Sequence, residues 1–276
     1  MEWRKVKNII ILVLLLVNGF LLVLVGFRKG EARRYEQTAL TQAVQALERS
    51  GIEVDIHAIT PADGLPSLTV ERDTVREARM IGALLGETVE GEDRGGGLYL
   101  YRGERGEVSL RLGGELSAVL ENDPRWRTDD PEGHAADLLQ QMAVEARQVQ
   151  TVRKDGAVQV VFRQQWDGTP IFSCHTVFIY VDGRLTAVQG NLLAFDQAAE
   201  EQGTALTLPT ALLRFLDYVR SSGDVCSSIQ SMEAGYRAVQ SFSGTTSLTA
   251  VWLVSSNTAS YYLDASTGAL TRLAEG

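Results

Sequence analysis

Three histidines, His57, His134 and His175, are the side chains of this 276-residue chain best suited to bind a metal or move a proton near neutral pH. None has a second His three to five residues away and no HExxH run occurs, so spacing assigns no metal ligand. Cys174-His175 is the one neighbouring Cys/His pair, the residue types of a thiol nucleophile and its base. On an alternating strand, adjacent side chains point to opposite faces, which keeps that thiol and imidazole apart. Asp129-Asp130 precede a helix start, where the N-terminal dipole favours carboxylates. Arg94-Gly95-Gly96-Gly97 lacks the Gly-Lys-Ser/Thr ending of a phosphate loop and leads into a strand pattern, so it reads as a hairpin entry. No catalytic residue, metal ligand or cofactor-binding residue is assigned, and the chain is expected not to be an enzyme. Trp252 lies in a strand pattern and is expected in a core, whereas Trp166 is compatible with either a core or a binding surface. Cys174 and Cys226 fit either one disulfide outside the cytoplasm or two buried thiols.

The clearest element is apolar. Ile9 to Phe27 form a nearly unbroken run of nineteen residues, which as a helix reaches ~28 Å, close to the thickness of a bilayer's hydrocarbon core. The run is longer than a signal-peptide core and meets Phe27-Arg28-Lys29 rather than a small-residue cleavage site, so an uncleaved single-pass anchor is expected. Arg4, Lys5 and Lys7 on one side are matched by Arg28, Lys29, Arg33 and Arg34 on the other, so charge bias is compatible with both orientations. Within the run, Asn18 puts a side-chain amide at mid-span. There it is either tolerated or relieved by a hydrogen bond to another helix. Leu14, Asn18, Leu21, Leu22 and Val25 recur three and four apart and form the expected partner-binding face.

Residues 1–34 carry seven basic and two acidic side chains, so of the net charge of −9 the rest of the chain carries −14. Such a field argues against nucleic acid as a partner. The expected fold class is α+β, with small domains in which helices pack on antiparallel sheets, at 35–122, 129–195 and 205–276, after a tip at 1–8 and an anchor at 9–27. In the first domain, helices are expected from Tyr35 to Ser50 and from Val75 to Leu85. A meander is expected from Leu98–Tyr101, Val108–Leu112 and Glu115–Leu120. The pattern then restarts with a helix from Pro131 to about Arg147, followed by strands at 157–164, 171–181 and 184–190. It restarts again with a helix from Leu208 to about Ser221 and strands at 235–240, 247–254, 260–264 and 269–273. Phe178–Thr186 and Tyr261–Thr271 share a strand, a tight turn and Gly-x-Leu-Thr, which points to an internal repeat.

The opening Met1-Glu2-Trp3-Arg4-Lys5-Val6-Lys7-Asn8, followed by the apolar helix with Asn18 and then Phe20-Leu21-Leu22, resembles the N-terminus of the YycH/YycI family. Gly168-Thr169-Pro170, Val251-Trp252 and Tyr261 to Gly268 resemble that family's PepSY-like, cystatin-like repeats. The resemblance implies a single-pass protein of the cytoplasmic membrane of a Gram-positive bacterium, N-terminus inside and C-terminal domain outside. It also implies an anchor that associates with a paralogous YycH-like regulator and with a cell-wall sensor histidine kinase of the WalK (YycG) type, adjusting its activity. Members both restrain and support the kinase, and the family brings no catalytic residue. A second expectation, from a different class, is an extracytoplasmic module that captures a peptide or wall fragment between its repeats, and a third is a PepSY-type protease inhibitor.

Overall fold

A computed structural model describes residues 14–18, 20, 35, 37–60, 64–86, 90–201, 203, 205–241 and 245–273. Residues 14–18 and 20 are helical, and the rest of the run from Ile9 to Phe27 lies outside the described residues. Among the described residues, no helix is long and apolar enough to cross a membrane. Among the described residues, four further α-helices are α1 (37–49), α2 (Thr74–Leu85), α3 (Pro131–Gln141) and α4 (Leu208–Ser222). The strands are β1 (Glu53–Val54), β2 (Leu68–Val70), β3 (Glu92–Asp93), β4 (Leu98–Gly103), β5 (Gly106–Arg111), β6 (Glu115–Leu120), β7 (Ala146–Lys154), β8 (Ala157–Trp166), β9 (Thr169–Val181), β10 (Arg184–Asn191), β11 (Ala198–Glu200), β12 (Ser228–Gln240), β13 (Thr246–Ser256), β14 (Ser260–Asp264) and β15 (Leu270–Arg272). The chain is mixed α+β and dominated by sheet. It divides into two compact units, Met1–Val54 with Leu208–Ser228, and Asp55–Thr207 with Ile229–Gly276.

In the first unit, α1 buries Ala43, Val44 and Leu47, and α4 buries Leu212, Phe215, Leu216 and Val219, the stripes expected of amphipathic helices. Arg220 Nη2 donates to Ser50 Oγ at 2.6 Å, and the Glu53 amide donates to the Ser227 carbonyl at 2.9 Å.

The second unit holds two sheets. One runs β3-β4-β5-β6-β10-β9-β8-β7, antiparallel throughout. The strands expected within 35–122 and within 129–195 therefore lie in a single sheet, joined where Ala187, Val188 and Gln189 of β10 pair with Val119, Ala118 and Ser117 of β6. Helices α2 and α3 cover one face. Met80, Ile81, Leu84 and Leu85 of α2 and Ala135, Leu138 and Leu139 of α3 enter one core with Val108, Leu116, Val160, Phe178, Tyr180 and Val188. The sequence dictates these helix ends. The Asp73 side chain accepts from Val75 N and Arg76 N, and Gly86 closes α2 in the left-handed region that a Cβ disfavours. Asp130 caps α3 by accepting from Gly133 N, with Pro131 in the first turn.

One element departs from expectation. The helix predicted to reach Arg147 ends at Gln141, because Ala143 turns into the left-handed region (φ 56°) and residues 146–154 pair with β8 as an edge strand. That strand is rich in β-branched and polar residues, which pack well on a half-exposed pleat.

The second sheet pairs β12-β13-β14-β15 as a meander, with β2 and then β11 beside the start of β13. A helix followed by a four-stranded meander thus occurs twice, as α3 with β7–β10 and as α4 with β12–β15. The two sheets meet through one parallel pair, Tyr236 with Ile171. Gly235 permits that approach: a Cβ there would stand 2.5 Å from the Pro170 carbonyl oxygen and 2.7 Å from the Phe172 ring.

Candidate functional site

The sequence-derived candidates do not converge. His57 sits exposed on a 3-10 turn, its amide donating to Asp55 Oδ1 at 2.9 Å. His134, on α3, is half-buried. Its Nδ1 is 2.9 Å from the Tyr180 hydroxyl, and its ring meets Trp126 and Tyr180 edge-on. Burial lowers the His134 pKa below the usual imidazole range and raises that of Tyr180. Cys174 and His175 point to opposite faces of β9: Cys174 is fully buried, its thiol pushed up to about 12 by desolvation, while His175 is exposed. Cys226 is half-buried with its sulfur 3.7 Å from the Ser228 carbonyl, and no disulfide joins it to Cys174. Asp130 caps α3, and Gly95, Gly96 and Gly97 form the left-handed turn between β3 and β4. Among the described residues no three His, Cys, Asp or Glu side chains group as a metal site. Of the expected anchor face, Leu14 and Asn18 are helical and exposed, while Leu21, Leu22 and Val25 lie outside the described residues. Trp252 is buried in the second unit.

Trp166 is half-buried and lines a cleft of about 130 Å³ with Phe195, Arg76, Met80, Met142 and Glu145. The Trp166 and Phe195 rings lie 4.9 Å apart. The cleft wall is fixed by the chain itself. Gln164 donates to the Leu193 carbonyl at 2.8 Å and accepts from the Leu193 amide at 2.9 Å, and Glu145 accepts from Gly168 N at 2.9 Å. Arg76 donates to the Ala143 carbonyl at 3.1 Å and pairs with Asp196.

A second feature, invisible in the sequence, lies where β8, β9, β12 and β14 come together. The Arg163 guanidinium stands 5.4 Å from the centre of the Phe172 ring, Phe172 is 6.2 Å from Tyr262, and Arg237 stands 5.5 Å from the centre of Tyr262. Arginine over an aromatic face is held by the ring quadrupole. Burial raises the Tyr262 hydroxyl pKa, against the lowering pull of Arg163 and Arg237.

No protein-family model and no curated protein matches the chain. Among solved structures it is similar to an uncharacterized protein from Eubacterium rectale ATCC 33656, at 13% identity over 81% of this chain and 90% of that one, with a TM-score of 0.49. It is also similar to the C-terminal domain of Bacillus megaterium YpeB, at 10% identity over 75% of this chain and 99% of that one, with a TM-score of 0.39.

Proposed function

We propose that this protein is a non-enzymatic, membrane-anchored regulator that acts by contact with a sensor histidine kinase of the cell-wall type, its folded units lying outside the cytoplasm. One observation carries the reading. In the helical residues 14–18 and 20, Leu14, Leu15, Leu16, Val17 and Phe20 are large apolar side chains that are 49–67% exposed. Such a segment loses free energy in water and is relieved in lipid or against another apolar helix. Asn18 among them supplies the one polar group through which a partner helix would be selected. The resemblance of residues 1–22 to the YycH/YycI N-terminus supports the same reading, and the twice-used order of a helix and a four-stranded meander agrees with PepSY-like units.

The test is co-purification of the organism's cell-wall sensor kinase from detergent-solubilised membranes, with the full-length chain, with Asn18→Leu and with the chain starting at Tyr35. Retention by the full-length chain, weakened by Asn18→Leu and lost from Tyr35 onward, supports contact through the anchor. Equal retention by all three moves the contact out of the anchor, and no retention removes the kinase as partner.

The cleft at Trp166 favours a second reading, capture of a small extracytoplasmic ligand. An aromatic wall with a few fixed polar groups is the usual make-up of such sites. Loss of saturable wall-fragment binding in Trp166→Ala, with stability unchanged, would support it.

A further inference from the structure

The cleft lined by Trp166 holds one charge that no other side chain balances. Its walls come from α2, from the link between α3 and β7, from the end of β8 and from the segment beyond β10. Two of its polar side chains are committed. Gln164 gives its amide oxygen and nitrogen to the Leu193 backbone, and the Arg76 guanidinium is divided between the Ala143 carbonyl and Asp196. Glu145 differs. Its backbone carbonyl accepts from Gln165 N at 2.8 Å and its Oε1 accepts from Gly168 N, so the residue is fixed against the turn between β8 and β9. Among the described residues Glu145 forms no ion pair, and neither its Oε2 nor Gln165 Oε1 accepts a hydrogen bond.

Arg76 and Asp196 cancel, so the cleft keeps the charge of Glu145. An anion would meet a guanidinium already neutralised and a carboxylate that repels it, whereas a cationic donor gains a charge-assisted hydrogen bond. One carboxylate and one amide oxygen are too few ligands for a calcium ion, which takes about six to eight. The remaining lining favours an organic cation. Trp166 and Phe195 offer π systems that attract an ammonium group, and the thioethers of Met80 and Met142 pack against methylenes. The volume of about 130 Å³ falls just under the ~150 Å³ of a cavity that holds benzene. A single group the size of one side chain therefore fits.

We infer that this cleft binds a primary alkylammonium group, the end of a lysine-type side chain, its nitrogen at Glu145 and Gln165 Oε1 and its methylenes on Trp166 and the two methionines. The inference rests on the ligand-capture reading of the same cleft and names the group that such a ligand must present; it needs neither the anchor nor the kinase. The probe is Nα-acetyl-lysine N-methylamide, titrated into the isotope-labelled full-length chain in neutral detergent while the indole N–H resonance of Trp166 is followed, with Trp166→Phe identifying that resonance. The Nε-acetylated probe, its norleucine analogue and Nα-acetyl-glutamate N-methylamide serve as comparisons. The expected result is a saturable shift with the lysine probe alone, weakened about tenfold by Glu145→Gln. That variant keeps an acceptor for Gly168 N, so its melting curve should match that of the parent. No shift with the lysine probe, an equal shift with any comparison compound, or indifference to Glu145→Gln would each overturn the ammonium assignment. A soluble cell-wall digest separates this inference from the capture reading. A Trp166 shift abolished by acetylating the amines of the digest supports both, a shift that survives acetylation leaves capture standing without the ammonium, and no shift with either digest or probe removes both.

Discussion

Arg72 grips Glu77 with two parallel hydrogen bonds, from Nε and Nη2 to the two carboxylate oxygens, each 2.6 Å long. Glu77 lies in the first turn of α2 at 6% exposure, and the Arg72 guanidinium also lies 4.6 Å from the centre of the Tyr99 ring. The pair ties the start of α2 to the strand it covers. Because removal of one partner strands a largely buried charge, Arg72→Met is expected to destabilise the fold by about 2–3 kcal/mol. The double variant Arg72→Met with Glu77→Leu should lose markedly less. Urea unfolding of the single and double variants checks this, and additive losses would show that the pair is uncoupled.

Acid is expected to weaken the second unit through His134. Desolvation holds its folded-state pKa below the unfolded value of ~6.5. The unfolded chain then binds the proton first, so stability is full above that value and falls as pH drops below it. Thermal melts between neutral and mildly acidic pH should show a slope that flattens in His134→Phe. An unchanged slope in that variant would assign the acid sensitivity to other groups.

At the meeting of the two sheets, Gly235→Ala should cost about 1–3 kcal/mol, because the new methyl must displace the Pro170 carbonyl or the Phe172 ring. Gly51→Ala meets no neighbour, although its φ of 80° still carries a backbone cost. Comparison of the two melting curves separates steric crowding from backbone strain, since crowding alone should also alter the near-ultraviolet signal of Tyr262.

Thiol chemistry should distinguish the two cysteines. Cys174 is completely buried, with its pKa pushed up to about 12, whereas Cys226 is half-exposed. A maleimide at mildly alkaline pH is expected to label the folded chain at Cys226 and to reach Cys174 only on unfolding. Mass spectrometry of the digested product reads the outcome, and prompt labelling of Cys174 would contradict its burial.

Much of this architecture is legible in the sequence because local rules govern it. Period-two alternation marks Val108–Leu112 and Ile171–Val181, and Asp-Gly turns at Asp167 and Asp182 bend the chain where both residues take positive φ. The join of β6 to β10 is not legible, since it depends on pairing residues far apart in sequence. Neither is the setting of Arg163. Arg147, Arg163 and His175 fall in line only through the register of three strands, and Phe172 reaches Arg163 only through a bulge. Trp166, which the sequence leaves compatible with burial or surface, lines the cleft with Phe195. The overrun of α3 toward Arg147 has a similar origin, because nothing in the run Met142-Ala143-Val144-Glu145-Ala146 forbids helix, whereas pairing with β8 demands strand.

Strand β7 is the outermost strand of its sheet, and its ladder breaks register between Gln148 and Gln150 while Arg147 and Lys154 stand exposed on it. A second copy approaching edge to edge would meet a kinked backbone and like charges, both of which oppose continuation of the sheet across molecules. Molecules brought to high local density are thereby kept from pairing through this edge.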